Sequence, residues 1–290
     1  MALGALGAEA PIAGAPVAEP SVAVHVIQPR AFPDQGLREL VLFPLVPQLN
    51  GRFTQHLGTM GSFVWHVGEN LGLRLTVGGN WLATESSFNA ELATKAKVAA
   101  QAAASLLWTW GLLGGVEVSP VHGKFVWLDG LLGHFSLVLS AGAGAGGSAH
   151  QLKPQSVRDD GTVSPATYGD TGVRFLGSVG LGARVRLGAH LALRLEVHDV
   201  ISTARVDQVN GCSVEDLAAM DGRLRAGFPV ESTPVRPGCD LRAFSGQTPA
   251  GDNRSIDLSQ AYQLVKGDHG VPSADVLHNV GLYLGIAFLF

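Results

Sequence analysis

Between residues 191 and 198, Leu191, Leu193, Leu195 and Val197 alternate with Ala192, Arg194, Glu196 and His198. A strand turns successive side chains to opposite faces, so this segment has one wholly apolar face and one that gathers ionisable groups. The same period of two recurs upstream. From 173 to 187 the odd positions read Val, Phe, Gly, Val, Leu, Ala, Val, Leu, and Arg174, Arg184 and Arg186 all fall on the other side. At the C-terminus Val280, Leu282, Leu284, Ile286, Phe288 and Phe290 share a face opposite Asn279, Gly281, Tyr283, Gly285, Ala287 and Leu289. A fold for this chain must give every second residue of such strands an apolar setting and the rest a polar one.

Five weaker segments complete the set. Residues 71–81 place Arg74, Thr76 and Asn80 together, and 134–144 do the same with Ser136 and Ser140. Ser62, Val64 and His66 alternate with Phe63, Trp65 and Val67. Residues 116–127 keep Glu117 and Ser119 in phase and need a slip near Pro120, as a bulge supplies, to bring His122 and Lys124 to the same side. Residues 39–46 are ambiguous in phase. That makes eight strands.

The connections alternate between short and long. The short ones fall near residues 68–70, 128–131 and 188–189, and the long ones near 47–55, 86–112, 145–170 and 206–274. Small turns at one rim and long loops at the other are the pattern of an outer-membrane barrel. The expected fold is therefore all-β: an eight-stranded antiparallel transmembrane β-barrel with short periplasmic turns and long extracellular loops containing short helices. Charged residues make up 15% of the chain, below the roughly 25% of a soluble domain. The net charge of -4 leaves no basic footprint for nucleic acid. The one candidate membrane helix, the uncharged span 98–116, is alanine-rich and closes on Gly111, Gly114 and Gly115, which argues against a membrane helix.

In hydrocarbon the backbone must pair within the protein, so strands can cross only as a closed barrel. An arginine facing lipid near the midplane costs roughly 2 to 4 kcal/mol, and eight strands enclose just enough room for side chains. Arg74, Lys124, Arg174, Arg184, Arg186 and Arg194 are thus expected to interleave with Glu39, Glu117 and Glu196 as a polar plug. Residues 1–37, with no Lys or Arg before Arg30, lack the basic start of a secretory signal and read as a flexible Ala/Pro-rich tail; the signal has been removed or the start lies inside it. Residues 38–290 form the barrel, with insertions at about 86–112, 145–170 and 206–274. Cys212 and Cys239 lie in one polar stretch and suit a single disulfide made outside the cytoplasm.

Two helices are expected in the loops. One runs over 89–106 with Leu92, Ala96, Ala99, Ala103 and Leu106 on a stripe. The other begins after Ser213, which precedes Asp216 at capping-box spacing, and carries Val214, Leu217, Ala218, Leu224 and Phe228 as an apolar stripe.

The final residues Tyr283-x-Gly285-x-x-Phe288-x-Phe290 resemble the C-terminal insertion signal of bacterial outer-membrane barrels. More widely, Glu39-Leu40 with Phe43-Pro44, Phe53-Thr54-x-His56, Ser62-Phe63-x-x-His66-x-x-Glu69-Asn70, Glu117-x-x-Pro120-x-x-Gly123-Lys124-Phe125 and Gly180-x-Gly182-x-Arg184 resemble the outer-membrane β-barrel domain family best known from myxobacteria. That family includes barrels of envelope-spanning gliding assemblies, so the resemblance implies a barrel in the bacterial outer membrane that meets lipid and other envelope proteins, through extracellular loops or the N-terminal tail.

Candidate chemistry is thin. Gly142-x-Gly144-x-Gly146-Gly147 lacks the helix of a phosphate loop and reads as a flexible strand end. Gly177, Gly180 and Gly182 read as small residues beside which lumen side chains such as Tyr283 pack. His198-Asp199 with Ser178 or Ser202 could make a triad, but no Gly-x-Ser-x-Gly elbow and no His-Glu-x-x-His occurs. No catalytic group, metal or cofactor is expected. The leading reading is a structural anchor or partner-binding subunit; a lipid-modifying enzyme would need Ser, His and a carboxylate at one rim, and a narrow channel for small or hydrophobic solutes would need a gap in the plug.

Overall fold

The computed structural model describes residues 33–88, 106–127, 131–153, 156–157, 163–164, 167–204, 206–244, 258–268 and 276–290. Eight long strands form the wall: β1 Arg38–Pro47, β2 Thr54–His66, β3 Leu71–Glu85, β4 Leu106–Trp127, β5 Leu131–Lys153, β6 Thr167–Arg186, β7 Leu191–Thr203 and β8 Val276–Leu289. Each pairs antiparallel with the next in sequence, and β1 closes the ring on β8 with Glu39 opposite Leu289 and Val41 opposite Ala287. The sheet is a closed eight-stranded antiparallel barrel, as the alternation requires.

Two bulges explain the segments whose phase was unclear. In β1 the register with both neighbours shifts after Leu42 and Phe43, around Pro44, so that Glu39, Val41, Phe43 and then Val46 all face inward. In β4 the register with β5 shifts between Val118 and Val121, at the expected slip near Pro120, which opposes His122 to Ser136 and Lys124 to His134. A proline has no N–H to give the ladder, and a bulge is one of the few places a sheet accepts it.

Outside, every strand presents apolar side chains: Leu42, Trp65, Leu75, Leu112, Leu139, Leu181, Leu195 and Ile286 are all exposed. Inside, Glu39, Arg74, Glu117, Arg184, Arg194 and Glu196 are buried. The polarity of an ordinary globule is thus reversed. At the C-terminus, Tyr283 and Gly285 face the lumen and Phe288 and Phe290 face outward.

Several boundaries differ from the sequence reading. The compact unit begins at Asp34 rather than residue 38, because Asp34 reaches into the lumen. The insertions at 86–112 and 145–170 are shorter than expected: β4 already starts at Leu106, β5 runs on to Lys153 and β6 begins at Thr167. A two-residue ladder joins Ser156–Val157 to Val163–Ser164 between them. The Gly142–Gly147 stretch is therefore ordinary strand, with Gly144 opposite Leu113 and Gly146 opposite Gly111. The helix expected over 89–106 lies outside the described residues, save Leu106, which opens β4. No helix among the described residues is long and apolar enough to cross a membrane.

The 206–274 insertion contains α1 Val214–Arg225 and α2 Leu258–Asp268. Ser213 caps α1 in a capping box with Asp216. Its apolar residues do not form one stripe. Leu217 and Met220 are buried, whereas Ala218, Leu224 and Phe228 are exposed. The buried set joins Val206, Val209, Val230, Phe244, Ala261 and Val265 in a separate core that also takes in Leu106 and Leu152 from the ends of β4 and β5, with Leu277 of β8 packed against it. Cys212 and Cys239 are joined, S–S 2.04 Å, at one side of this core. The insertion is a small cap seated on the long-loop rim.

Candidate functional site

The lumen has two storeys. In the lower one, towards the short turns, four guanidiniums meet four carboxylates drawn from the turn before β1 and from five strands. Arg194 of β7 sits at the centre. Its Nε donates to Glu39 Oε1 at 2.6 Å, Nη2 to Glu39 Oε2 at 2.9 Å and Glu117 Oε1 at 2.8 Å, and Nη1 to Glu117 Oε2 at 2.9 Å and Glu196 Oε1 at 2.8 Å. A guanidinium has five N–H donors, so every one is used. Arg74 adds Nη1 to Glu196 Oε2 at 2.7 Å and Nη2 to Ser62 Oγ at 3.1 Å.

Below this, Arg184 donates to Glu39 Oε2 at 3.0 Å, to Ser136 at 3.2 Å and to Asp34. Arg186 also reaches Asp34, at 2.7 Å. Two imidazoles lean on the cluster: His66 Nε2 lies 2.9 Å from Glu39 Oε2, and His198 Nε2 lies 2.6 Å from Glu196 Oε2. The expected plug is thus assembled from Arg74, Glu117, Arg184, Arg186, Arg194, Glu196 and Glu39.

Two expected members stand elsewhere. Lys124 has the inward phase but is exposed, because β4 beyond the bulge at Pro120 has passed the start of β3, whose Leu71 pairs with Val118. Arg174 is buried in the upper storey, held by Ser148 Oγ and by Thr203 O at 3.0 Å. Asp34 carries no sequence signal, since it lies before the first alternating segment. The glycines of β6 serve other guests than expected: a Cβ at Gly182 would come 2.5 Å from Glu196 Cγ, and one at Gly180 would overlap the His198 ring. Tyr283 packs against His198 instead, its ring tilted by 52° with centroids 4.6 Å apart, and meets Phe43 edge-on at 5.3 Å.

The triad is not assembled. Neighbours on a strand face opposite ways, so His198 turns inward to Glu196 while Asp199 pairs with His278 Nδ1 at 2.6 Å. Among the described residues no group of three or more His, Cys, Asp or Glu could hold a metal.

The upper storey is an open space of about 290 Å³. Above the pair Gly79–Trp110 the β3–β4 ladder stops and β4 leans into the mouth; Asn80 Nδ2 donates to Trp108 O at 2.9 Å across the gap. The Trp108 backbone N–H donates to His56 Nε2 at 2.9 Å. A ring nitrogen that accepts carries no proton, so His56 is the neutral Nδ1–H tautomer, donating to Gln48 Oε1 at 2.5 Å. Leu113, Leu176 and Val200 form the floor with Trp108. Below lies a void of about 30 Å³ beside Arg74 and Tyr283, room for about one water.

No family model matches the chain, and no curated protein matches it in sequence. Among solved structures it is similar to the N-terminal β-barrel domain of Pseudomonas aeruginosa OprF over 88% of this chain and 98% of that one, with 8% sequence identity and a TM-score of 0.31.

In the cap, burial pushes the Asp216 carboxyl up, but the backbone N–H groups of Ser213 and Arg236, the Ser213 hydroxyl and the Arg236 guanidinium hold it below the usual carboxylate range. A carboxyl held low in the folded state stabilises above its unfolded pKa and loses that contribution as pH falls through the folded one. Pepsin should therefore cut α1 faster as the pH drops below about 4, and Asp216→Asn should remove that acid dependence; an unchanged pH profile in the variant would refute the assignment.

Proposed function

We propose that this chain is a non-enzymatic barrel of the bacterial outer membrane, an anchor that presents its capped end outside the cell to a partner protein of the envelope. The observation that carries this reading is the reversed polarity of the wall. Val173, Phe175, Leu181 and Leu284 each leave more than half their surface uncovered; in water a girdle of such residues around all eight strands would be a large unfavourable apolar surface, and in hydrocarbon it is at home. The short turns then face the periplasm and the cap faces out. A lumen blocked by ion pairs supports an anchor over a conducting pore.

The cap supplies the partner surface on this reading. Leu224 and Phe228 are exposed in a cap whose other large apolar side chains are mostly buried, with Arg223 stacked 4.9 Å over the Phe228 ring. The likeness of the strand motifs to the myxobacterial barrel family points the same way, to an assembly in the envelope.

The test has two arms. The full chain should fractionate with outer membranes and migrate differently on a denaturing gel before and after boiling; recovery as a soluble monomer without detergent would defeat the membrane reading. Trimming residues 214–238 should leave the boiling-dependent shift intact while removing whatever co-purifies from membranes in mild detergent. Unchanged co-purification would defeat the partner reading alone.

A further inference from the structure

We infer that the upper lumen is a binding pocket for a compact, uncharged molecule with a largely apolar body. Its 290 Å³ lies at the lower end of the range of small-molecule sites and is about twice the roughly 150 Å³ of an apolar cavity that takes up benzene. The Leu113, Leu176 and Val200 floor, with the ion-paired storey below it, closes the space beneath. Exposed Asn50, Arg52 and His278 line it together with buried His56 and Ser148, so it reaches the surface at the long-loop rim. A space closed at one end and open at the other suits capture and not passage.

Two observations select the ligand. Much of the wall is hydrocarbon, from Leu106, Leu107, Trp108, Leu176, Val200 and Leu277. Trp108 adds a ring without adding a donor, since its Nε1–H already donates to Trp110 O at 2.8 Å. The second observation is that the polar groups set among these residues are bound to one another. His56 is held by the Trp108 backbone N–H at 2.9 Å and by Gln48 at 2.5 Å, Gln48 Nε2 donates to Asn50 Oδ1 at 3.2 Å, and Asn50 Nδ2 donates to His278 O at 2.8 Å. Across the space Ser148 Oγ lies 2.7 Å from Thr171 Oγ1 and accepts from Arg174, whose Nη1 donates to Thr203 O at 3.0 Å. Arg52 stays exposed at the mouth, its guanidinium over the Phe53 and Phe88 rings at 5.6 and 4.8 Å. An ion that moves down from the mouth gives up hydration and meets polar groups already engaged with each other. An apolar body gives up little and gains contact with the wall. The ligand that fits is a neutral molecule with one aromatic ring or a branched aliphatic body, and a single hydroxyl or carbonyl to rest at the polar rim.

Equilibrium dialysis of tritiated 3-phenylpropan-1-ol against the full-length protein in a non-ionic detergent tests this, with protein-free micelles as the blank for partitioning. 3-Phenylpropanoate and 3-phenylpropylamine, of the same shape and opposite charges, are the comparisons. The alcohol is expected to bind saturably above the blank, and both ions at least tenfold more weakly. Ser202→Phe, which fills the pocket from β7, and Leu277→Asn, which makes the wall polar at nearly constant volume, should each weaken the alcohol at least tenfold while the boiling-dependent gel shift persists. Absence of saturable binding by the wild type, an ion bound as tightly as the alcohol, or undiminished binding in either variant that retains the shift would overturn the inference. If both variants lose the shift, the comparison of alcohol and ions on the wild type still decides. The assay needs neither a membrane nor a partner, so its failure leaves the anchor reading untouched.

Discussion

Arg194→Gln should lower the stability of the folded barrel by about 3 to 5 kcal/mol, the cost of breaking a buried ion pair from one side. The change leaves Glu39, Glu117 and Glu196 facing one another around a neutral amide, with Glu117 keeping only Arg74 at 3.3 Å among the ion pairs of the cluster. Nothing else at the centre can take five acceptors. Arg194→Lys should be intermediate, because an ammonium has three donors and no planar fork. Arg225→Gln, which removes an exposed partner of Asp221 on α1, should change stability by well under about 1 kcal/mol. Urea midpoints followed by the gel shift would compare the three. A midpoint for Arg194→Gln as high as that of Arg225→Gln would mean that the cluster does not hold the barrel together.

Replacing Cys212 and Cys239 together with serine should open the cap and spare the wall. A cross-link over a separation of 27 residues restricts the unfolded segment by about 3 to 4 kcal/mol in the chain-entropy picture. The cap has a core of its own, built on Leu217, Met220, Phe244 and Val265, but a core of that size is marginal without a staple. Trypsin should then cut after Arg223 and Arg225 in the double variant at concentrations that leave the wild type intact, while the barrel keeps its boiling-dependent shift. Equal cleavage rates in the two proteins would show that the bond is incidental to the fold of the cap.

The wall was legible because its information is binary. Leu191 to His198 could be assigned to faces residue by residue, and Pro120 marked its own bulge, since a missing N–H and a phase slip point to the same place. Depth was not legible. Alternation tells which face Lys124 and Arg174 occupy and says nothing of how far along the barrel they sit, so one was expected in a plug it does not reach and the other lies a storey above it. Residues 145–153 read as loop in the sequence because Ala, Gly and Ser give too little contrast between faces to show a strand. Asp34 carried no pattern at all, and the second cap helix, Leu258–Asp268, lacked a recognisable start. The pocket could not be foreseen, since it arises where β4 leaves β3 and bends towards His56, which is a matter of tertiary register.

The wiring of the charge cluster has a kinetic corollary. Asp34 bonds Arg184 and Arg186 across 150 and 152 residues, Glu39 bonds Arg194 across 155, and Arg74 bonds Glu196 across 122. None of these contacts can form within a hairpin. A sheet of β1 to β7 carries every member of the cluster, but until it closes it keeps Asp34 and Glu39 at one edge away from Arg184 and Arg194 towards the other, so partial structures forgo these ion pairs. Contacts this distant in sequence slow folding, and here they also favour an all-or-none closure: the turn at Asp34, just ahead of the first strand, acts as a latch on Arg184 and Arg186 that engages when the last strand has arrived beside β1.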